Sequence, residues 1–103
     1  MNPRMNITDD QLTAFCRRWK IAKAWLFGSV LRDDFRPTSD LDVMIEFSQD
    51  ASWTLFDLSQ MKFELQDLTG RGVDLLTRRG VESSQNTYRR ESILGTAKQV
   101  YAA

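Results

Sequence analysis

Residues 24–47 constrain the fold of this chain more than any other part of its sequence. Two apolar runs, at 24–27 and 41–47, flank a polar stretch, and we interpret both runs as buried strands. The first run closes on Gly28-Ser29, and after ten intervening residues the second opens on Asp40-Leu41-Asp42. Because charge at the head of a core strand is costly unless something compensates it, this pattern predicts a cation at the strand ends.

The second run is the clearest strand in the sequence. Alternate residues of a strand leave opposite faces, so Asp40 and Asp42 leave the same face and their carboxylates can point to one spot. Two carboxylates held that close repel each other unless they share a proton or bind a cation. Oxygen ligands suit Mg²⁺, which usually keeps waters and takes its other ligands from phosphate oxygens. The pair therefore predicts a magnesium site that also binds phosphate.

Asp74 is the only charged residue in the run Val73–Thr77, which we interpret as a third strand lying beside 41–47. A charge inside an otherwise apolar strand needs a compensating interaction. Placed near Asp40 and Asp42, Asp74 would complete a metal site of three carboxylates. The alternative is a surface aspartate at the start of an edge strand, and the sequence leaves that interpretation open.

Gly28-Ser29 supplies the phosphate half of the predicted site. Glycine allows a tight turn and a close approach of the backbone to a ligand. A short helix predicted over Val30–Asp34, beginning at Ser29, would offer free N–H groups and a positive dipole end to an anion, and the Ser29 hydroxyl adds a donor. With the phosphate chain fixed, a hydroxyl could attack the α-phosphorus in line while pyrophosphate leaves. Asp74 is the best acceptor for the proton of that hydroxyl, since the chain has no histidine.

The order of predicted elements is helix, strand, short helix, strand, long helix, strand, helix. This order indicates an α/β or α+β fold with a single small mixed sheet flanked by helices, and the length of 103 residues suggests one domain over 1–103. A helix is predicted after the capping box Thr8–Gln11, and a long helix ended by Gly70 carries the apolar stripe Leu55, Leu58, Met61, Leu65 and Leu68. The segment Arg78–Gln85 is predicted as a polar loop that could open a helix. A helix over Tyr88–Ala97 follows, and Val100-Tyr101 is predicted as a tail strand or a helix end.

The residue counts exclude several classes of function. Lysine plus arginine and aspartate plus glutamate number 14 each, so this neutral chain has no general attraction to nucleic acid or to an anionic membrane. The absence of histidine rules out Ser-His and Cys-His nucleophilic schemes, and a single cysteine rules out an internal disulfide. A polar start and the lack of an apolar run of membrane-spanning length predict a cytoplasmic protein without a signal peptide.

We expect the tryptophans and most of the arginine pairs to have structural roles. We expect the tryptophans Trp19, Trp25 and Trp53 in the core or at its edge, and Cys16 as a small buried apolar residue. The arginine pairs at 17–18, 78–79 and 89–90 are interpreted as solvated faces, with 78–79 alternatively reaching a phosphate or a partner protein.

The segment FGSVLRDDFRPTSDLDVMIEF, followed by GRGVDLL, resembles the nucleotidyltransferase superfamily of DNA polymerase beta type. More narrowly, nearly the whole chain is similar to the minimal nucleotidyltransferases, the MNT or MntA-like antitoxins. This resemblance implies a polymerase-beta-like nucleotidyltransferase fold that binds the nucleotide triphosphate at Gly28 and Ser29. It also implies that Asp40, Asp42 and Asp74 bind Mg²⁺ and carry catalysis.

The chain departs at two positions from the pattern Gly-Ser-x-Ala-Arg-Gly that is frequent in this family. Leu31 stands where alanine is usual and Asp33 where glycine is usual, whereas Arg32 is kept. Arg32 is a candidate nucleotide-binding residue that would contact phosphate, or else it pairs with Asp33, Asp34 or Glu46. The departures leave the three aspartates intact, so they bear on fine positioning rather than on activity.

The resemblance also implies a partner. Such antitoxins are usually paired with a HEPN-domain ribonuclease toxin, and the implied reaction transfers AMP from ATP to a tyrosine of that toxin, with which the chain would form a hetero-oligomer. An alternative is a non-catalytic antitoxin that neutralises the toxin by binding and occlusion. A third interpretation, a nucleotidyltransferase directed at RNA or a small molecule, is disfavoured because the chain is too short for a separate acceptor domain, and no direct nucleic-acid binding is expected. Nucleotide preference, the number of nucleotides transferred and the stoichiometry of the complex stay open.

Overall fold

The computed structural model describes residues 3–103 of the chain. Its helices and strands are, in chain order, α1 (Asp9–Arg18), β1 (Ile21–Phe27), β2 (Leu41–Phe47), α2 (Leu55–Thr69), β3 (Val73–Thr77), α3 (Arg78–Glu82), α4 (Thr87–Thr96) and β4 (Lys98–Ala102). Two short 3₁₀ helices cover Pro3–Met5 and Gly28–Leu31. Met1 and Asn2, on which the expectation of a start without a signal peptide partly rests, lie outside the described residues.

The strands form a four-stranded sheet in the order β3-β2-β1-β4. β1 runs antiparallel to both β2 and β4, whereas β2 runs parallel to β3. The prediction of a small mixed sheet flanked by helices is therefore confirmed, and so is the placement of the strand 73–77 beside 41–47. This topology brings the carboxyl end of β1 and the amino ends of β2 and β3 to the same edge of the sheet.

Local sequence signals set the ends of α1 and α2, which pack on the same face of the sheet. The Thr8 hydroxyl accepts from the Gln11 N–H at 3.1 Å, and the Gln11 side chain accepts from the Thr8 N–H at 2.9 Å, which confirms the capping box predicted at the start of α1. α2 begins after an equivalent box formed by Thr54 and Asp57. It ends at Gly70, whose φ of +69° is a left-handed conformation that glycine adopts without strain.

Both faces of the sheet are covered, so β2 is buried from two sides. On one face Leu41, Val43 and Ile45, each at most 2% exposed, pack with α1 and α2 in the larger core cluster. On the other face Met44 packs with residues of β1, α3 and α4. This second cluster consists of Trp25, Phe27, Met44, Val81 and Ile93. Asp42 precedes Met44 by two residues and therefore lies on the same face as the second cluster.

The residues expected in the core lie there. Trp25 is buried in the second cluster, and Trp19 and Trp53 are half-buried against the first. The Trp19 and Trp53 rings meet edge to face with centroids 5.1 Å apart, and the Trp53 indole N–H donates to the Trp19 carbonyl at 2.8 Å. Cys16 is fully buried, and burial raises the pKa of its thiol to about 12, so it is an inert apolar core residue.

One residue of the predicted stripe on α2 does not face the core. Leu55 is 83% exposed, so its assignment to the apolar face is wrong. It is the first residue of the helix, and Leu58, one turn later, is the first member of the stripe to pack against the core.

The polar stretch after β3 contains a short helix, α3, and the tail of the chain forms a strand, β4. The Thr77 hydroxyl accepts from the Gly80 N–H at 3.1 Å and caps α3, whose Val81 is buried in the second cluster. The tail is a strand, because β4 pairs with β1 and extends the sheet beyond it. Across residues 3–103, the helices are all too short or too polar to cross a lipid bilayer.

Candidate active site

Asp42 lies at the centre of the strand ends that the sheet brings together. In the sheet register it stands beside Phe27, the last residue of β1, and beside Asp74 on β3. The structure therefore places Asp74 next to one member of the aspartate pair, as the sequence predicted. Asp74 is half-buried on an edge strand, so the sheet position named in the alternative interpretation is also correct.

Gly28 gives the Asp42 carboxylate its space. A Cβ atom added to Gly28 would lie 2.2 Å from Asp42 Oδ2, far inside van der Waals contact. The backbone of Gly28 also has a φ of +75°, in the left-handed region that side chains disfavour. Glycine is thus required at this position for two independent reasons, and one of them is the aspartate itself.

The Asp40 carboxylate lies against a different glycine, Gly72. Asp40 is exposed and precedes β2, and its Oδ1 lies 2.4 Å from where a Cβ of Gly72 would stand. Gly72 directly precedes β3, and its carbonyl accepts from the Leu41 N–H at 2.9 Å. The Asp40 and Asp42 carboxylates therefore share one edge of the sheet, but one points toward the start of β3 and the other toward the end of β1. The expectation that the two carboxylates point to one spot is wrong, because each lies against a glycine on a different side of β2.

Asp40 and Asp74 act electrostatically on Asp42. Burial raises the pKa of Asp42 above its ordinary value, and the charges of Asp74 and Asp40 raise it further. Arg32 and Arg89 act in the opposite direction and lower it. The site is consequently a cluster of like charges that the two nearby arginines compensate only in part.

The chemistry of this donor set fits a divalent cation that also binds a nucleotide. Carboxylate oxygens are hard ligands, and burial together with the charges of Asp74 and Asp40 raises the pKa of Asp42, so a bound cation would favour its ionised form. Among residues 3–103, no three or more His, Cys, Asp or Glu side chains form a ready-made metal site. A site that draws part of its ligands from phosphate oxygens and water, as Mg²⁺ sites usually do, requires fewer ligands from the protein.

The turn after β1 differs from the predicted short helix. Regular structure begins at Gly28 and ends at Leu31, as one 3₁₀ turn closed by the Arg32 N–H donating to the Ser29 carbonyl at 2.9 Å. The buried Val30 anchors this turn, Arg32 is extended and residues 33–34 form a turn, so the predicted helix over Val30–Asp34 is wrong. A single turn has no appreciable macrodipole. What remains for a phosphate is a glycine turn and the Ser29 hydroxyl, which has no hydrogen-bond partner within the described residues.

Two of the arginines singled out in the sequence have partners of their own. The Arg32 Nε lies 3.1 Å from Asp34 Oδ1, so of the acidic residues considered Arg32 pairs with Asp34. Both side chains are exposed, and this pairing leaves the predicted phosphate contact of Arg32 a prediction. Arg78 lies over the Trp25 ring at 5.0 Å and near Glu82, which favours a structural role for it.

Arg89 is the site residue that sequence reasoning missed. The pair 89–90 was interpreted as a solvated face, yet Arg89 acts on the charge of Asp42 and lines a groove of about 590 Å³ beside Gly28. The signal that could have found it is its spacing: Arg89 precedes Ile93, a core residue of α4, by one helical turn and therefore lies on the same helix face.

Comparison with known proteins places this geometry among nucleotidyl-transferring domains. The sequence model of a family described as nucleotidyltransferase domain matches residues 9–99 of the chain. Two curated proteins of Methanocaldococcus jannaschii are similar. "Putative protein adenylyltransferase MJ0435" is 40% identical over 57 residues, which make up 55% of this chain and 59% of that protein, so the match spans less than two thirds of its length. "Putative protein adenylyltransferase MJ1217" is 33% identical over 76 residues, which make up 74% of this chain and 72% of that protein.

Solved structures share the fold. A structure described as a "putative minimal nucleotidyltransferase" has a TM-score of 0.67 and 31% identity, over 88% of this chain and 87% of the other. A chain of a toxin-antitoxin complex with AMP-PNP has a TM-score of 0.71 and 18% identity, over 94% and 75%. A chain of the complex between tri-AMPylated Shewanella oneidensis HEPN toxin and MNT antitoxin has a TM-score of 0.63 and 19% identity, over 97% and 71%. At such low identity, the last two similarities establish the fold alone.

Proposed function

Because this chain belongs to the nucleotidyltransferase domain family, we propose that it transfers AMP from ATP to a tyrosine of a partner HEPN-domain ribonuclease toxin and thereby acts as its antitoxin. The observation that carries the proposal is the position of Asp42, which stands beside Asp74 in the sheet register and against Gly28 at the end of β1. The names of the adenylyltransferase relatives and the AMPylated toxin in one structural neighbour support the choice of acceptor.

The aspartates would hold a magnesium ion together with the triphosphate. Asp42 and Asp74 are adjacent, and Asp40 shares their edge of the sheet. When bound there, the ion would neutralise phosphate charge and polarise the α-phosphorus. A cation would also offset the burial and the repulsion from Asp74 and Asp40 that raise the pKa of Asp42.

The remaining residues would orient the nucleotide and move one proton. Gly28 lets the backbone approach the phosphates, and Ser29 offers them a free hydroxyl. Asp74 would accept the proton of the tyrosine hydroxyl as its oxygen bonds to the α-phosphorus. The bond from the α-phosphorus to the bridging oxygen then breaks, and pyrophosphate leaves with the electron pair.

The proposal predicts a covalent change on the partner. The full chain is incubated with ATP, Mg²⁺ and a purified HEPN-domain toxin, and the intact mass of that toxin is measured. We expect a gain of one or more AMP units, with pyrophosphate released in equal amount, and no gain when the divalent cation is chelated. An unchanged mass in the presence of ATP and Mg²⁺ would contradict transfer to this acceptor.

Occlusion of the toxin is the second candidate, and one surface feature favours it. Phe56 and Phe63 of α2 are 71% and 55% exposed, and large apolar side chains in that state are typical of protein-binding surfaces. Under this alternative the chain protects against the toxin by forming a complex whose mass is the sum of two unmodified proteins. The same mass measurement, made on the complex, separates the two candidates.

A further inference from the structure

Arg89 is a basic residue of α4 that lines the groove beside Gly28 at the end of β1. Ile93 of this helix is buried against Phe27 and Met44. Residues four apart lie on the same face of a helix, so Arg89 also faces the sheet. Arg89 lies toward the amino end of α4 and outside the sequence motif at 28–42.

The lining of one groove places Arg89 near the strand ends. Arg89 lines this groove together with Phe27 and Gly28. Phe27 stands beside Asp42 in the sheet register, and the Asp42 carboxylate lies against Gly28, so Arg89 lies near Asp42. Its charge acts on that carboxylate, which agrees with this placement.

The Arg89 guanidinium is available for a ligand. Within residues 3–103 it makes no hydrogen bond and no ion pair, although its backbone N–H donates to the Asn86 side chain. Its neighbours are occupied differently: Arg90 donates to the Ser84 carbonyl at 3.2 Å, and Arg32 pairs with Asp34. Arg89 therefore presents its planar set of donors unused, on the side of the helix that faces the site.

The groove that Arg89 lines is suited to a polyanion. It has a volume of about 590 Å³ and runs from Gly28 along α4 to the start of β4. Three basic side chains line it, those of Arg32, Arg89 and Lys98, and its described lining contains no acidic residue. The carboxylate cluster stands at its Gly28 end, because Asp42 fills the space beside that glycine. A positive groove that ends at a carboxylate cluster matches a triphosphate whose reacting phosphorus lies at the cluster.

We propose that Arg89 binds the β- and γ-phosphates of the nucleotide in this groove and holds the pyrophosphate group that leaves. This inference rests on the proposed nucleotidyl transfer and adds to it a residue outside the strand-end motif. As the bond between the α-phosphorus and the bridging oxygen breaks, negative charge grows on the pyrophosphate. A guanidinium, which binds phosphate oxygens in pairs, stabilises that charge without exchanging a proton.

The test measures affinity for phosphates separately from transfer. Arg89→Gln, Arg89→Lys and wild-type chain are titrated calorimetrically with ATP and with inorganic tripolyphosphate in the presence of Mg²⁺. Arg17→Gln on α1, which packs on the opposite face of the sheet, is the charge-matched control. We expect Arg89→Gln to bind both probes roughly tenfold more weakly or worse, Arg89→Lys to fall in between, and Arg17→Gln to match wild type.

Each result decides between the inference and its premise. Arg89→Gln binding ATP as tightly as wild type would overturn the role of Arg89 and leave the proposed function standing. Wild-type chain that binds ATP but not tripolyphosphate would likewise overturn the phosphate groove alone. Wild-type chain that fails to bind ATP would overturn both. Arg89 is exposed and makes no side-chain hydrogen bond in the described part of the chain, so the thermal unfolding of all three variants should match wild type.

Discussion

Replacing Asp42 with asparagine is expected to lower nucleotidyl transfer by about 10³-fold or more, while the folded protein stays at least as stable as wild type. The loss follows because Asp42 is the aspartate that lies between both halves of the site, beside Asp74 in the sheet register and against Gly28. An amide at this position neither holds a divalent cation well nor offsets phosphate charge, and interactions of that kind supply several kcal/mol of transition-state stabilisation.

The expected stability of Asp42→Asn follows from the sign of the pKa shift. The pKa of Asp42 is higher in the folded chain than the ordinary value of 3.8, so the folded state binds this proton more tightly than the unfolded state. Stability therefore falls as the pH rises through the interval between 3.8 and the raised pKa, and at neutral pH the ionised carboxylate costs stability. Asparagine keeps the shape of the side chain and removes the repulsion from Asp74 and Asp40.

Transfer rate and thermal unfolding are measured together on Asp42→Asn and on the control Asp33→Asn. Asp33 is exposed on the loop after the Gly28 turn, and its neutralisation changes the net charge equally. We expect the control to keep both wild-type activity and wild-type unfolding temperature. A protein with Asp42→Asn that still transfers nucleotide, or that loses activity only because it unfolds at a lower temperature, would contradict a catalytic role for this carboxylate.

Gly28→Ala is expected to reduce transfer by about 10²-fold, because displacing a reacting group by an ångström has effects of that size. The new methyl group would lie 2.2 Å from Asp42 Oδ2, so the carboxylate must rotate away from the position it holds. The variant should also lose about 1–2 kcal/mol of stability, since a φ of +75° is strained for a residue with a side chain.

Gly70→Ala separates the two effects of the substitution at Gly28. Gly70 has nearly the same φ, +69°, but a Cβ added there meets nothing within 4 Å. It should therefore lose about as much stability from backbone strain, roughly 1–2 kcal/mol, and keep its transfer rate. Urea unfolding gives the stabilities and pyrophosphate release gives the rates; equal rates for the two alanine variants would refute the view that Gly28 makes room for the carboxylate.

The strand-end part of the site was predictable because it depends on short spacings. Alternation along 41–47 places Asp42 on one face, and a single charge in an apolar strand marks Asp74. The parallel pairing of the two strands then puts these residues side by side. The first two steps use the alternation of side chains along a strand, which the sequence displays directly. The last step uses the pairing of neighbouring strands, which the order of the predicted elements suggests.

The rest of the site depends on how distant elements meet. Arg89 acts on the charge of Asp42 because α4 packs on the second face of the sheet through Ile93, and although the spacing to Ile93 shows which helix face Arg89 occupies, it does not show what that face packs against. The direction of Asp40 is set by Gly72, which belongs to another loop. The turn at Gly28 is one 3₁₀ turn because Val30 is buried, whereas the propensities of 30–34 alone favoured a helix.

The most direct test of the account is the position of a manganese ion in a crystal of the chain grown with a nonhydrolysable ATP analogue. Mn²⁺ replaces Mg²⁺ at oxygen sites, and its anomalous scattering locates it without reference to the protein model. The account predicts a peak within coordination distance of both Asp42 and Asp74, with the phosphates of the analogue beside Gly28. A manganese peak elsewhere with these two carboxylates free, or a nucleotide bound away from the Gly28 turn, would contradict it.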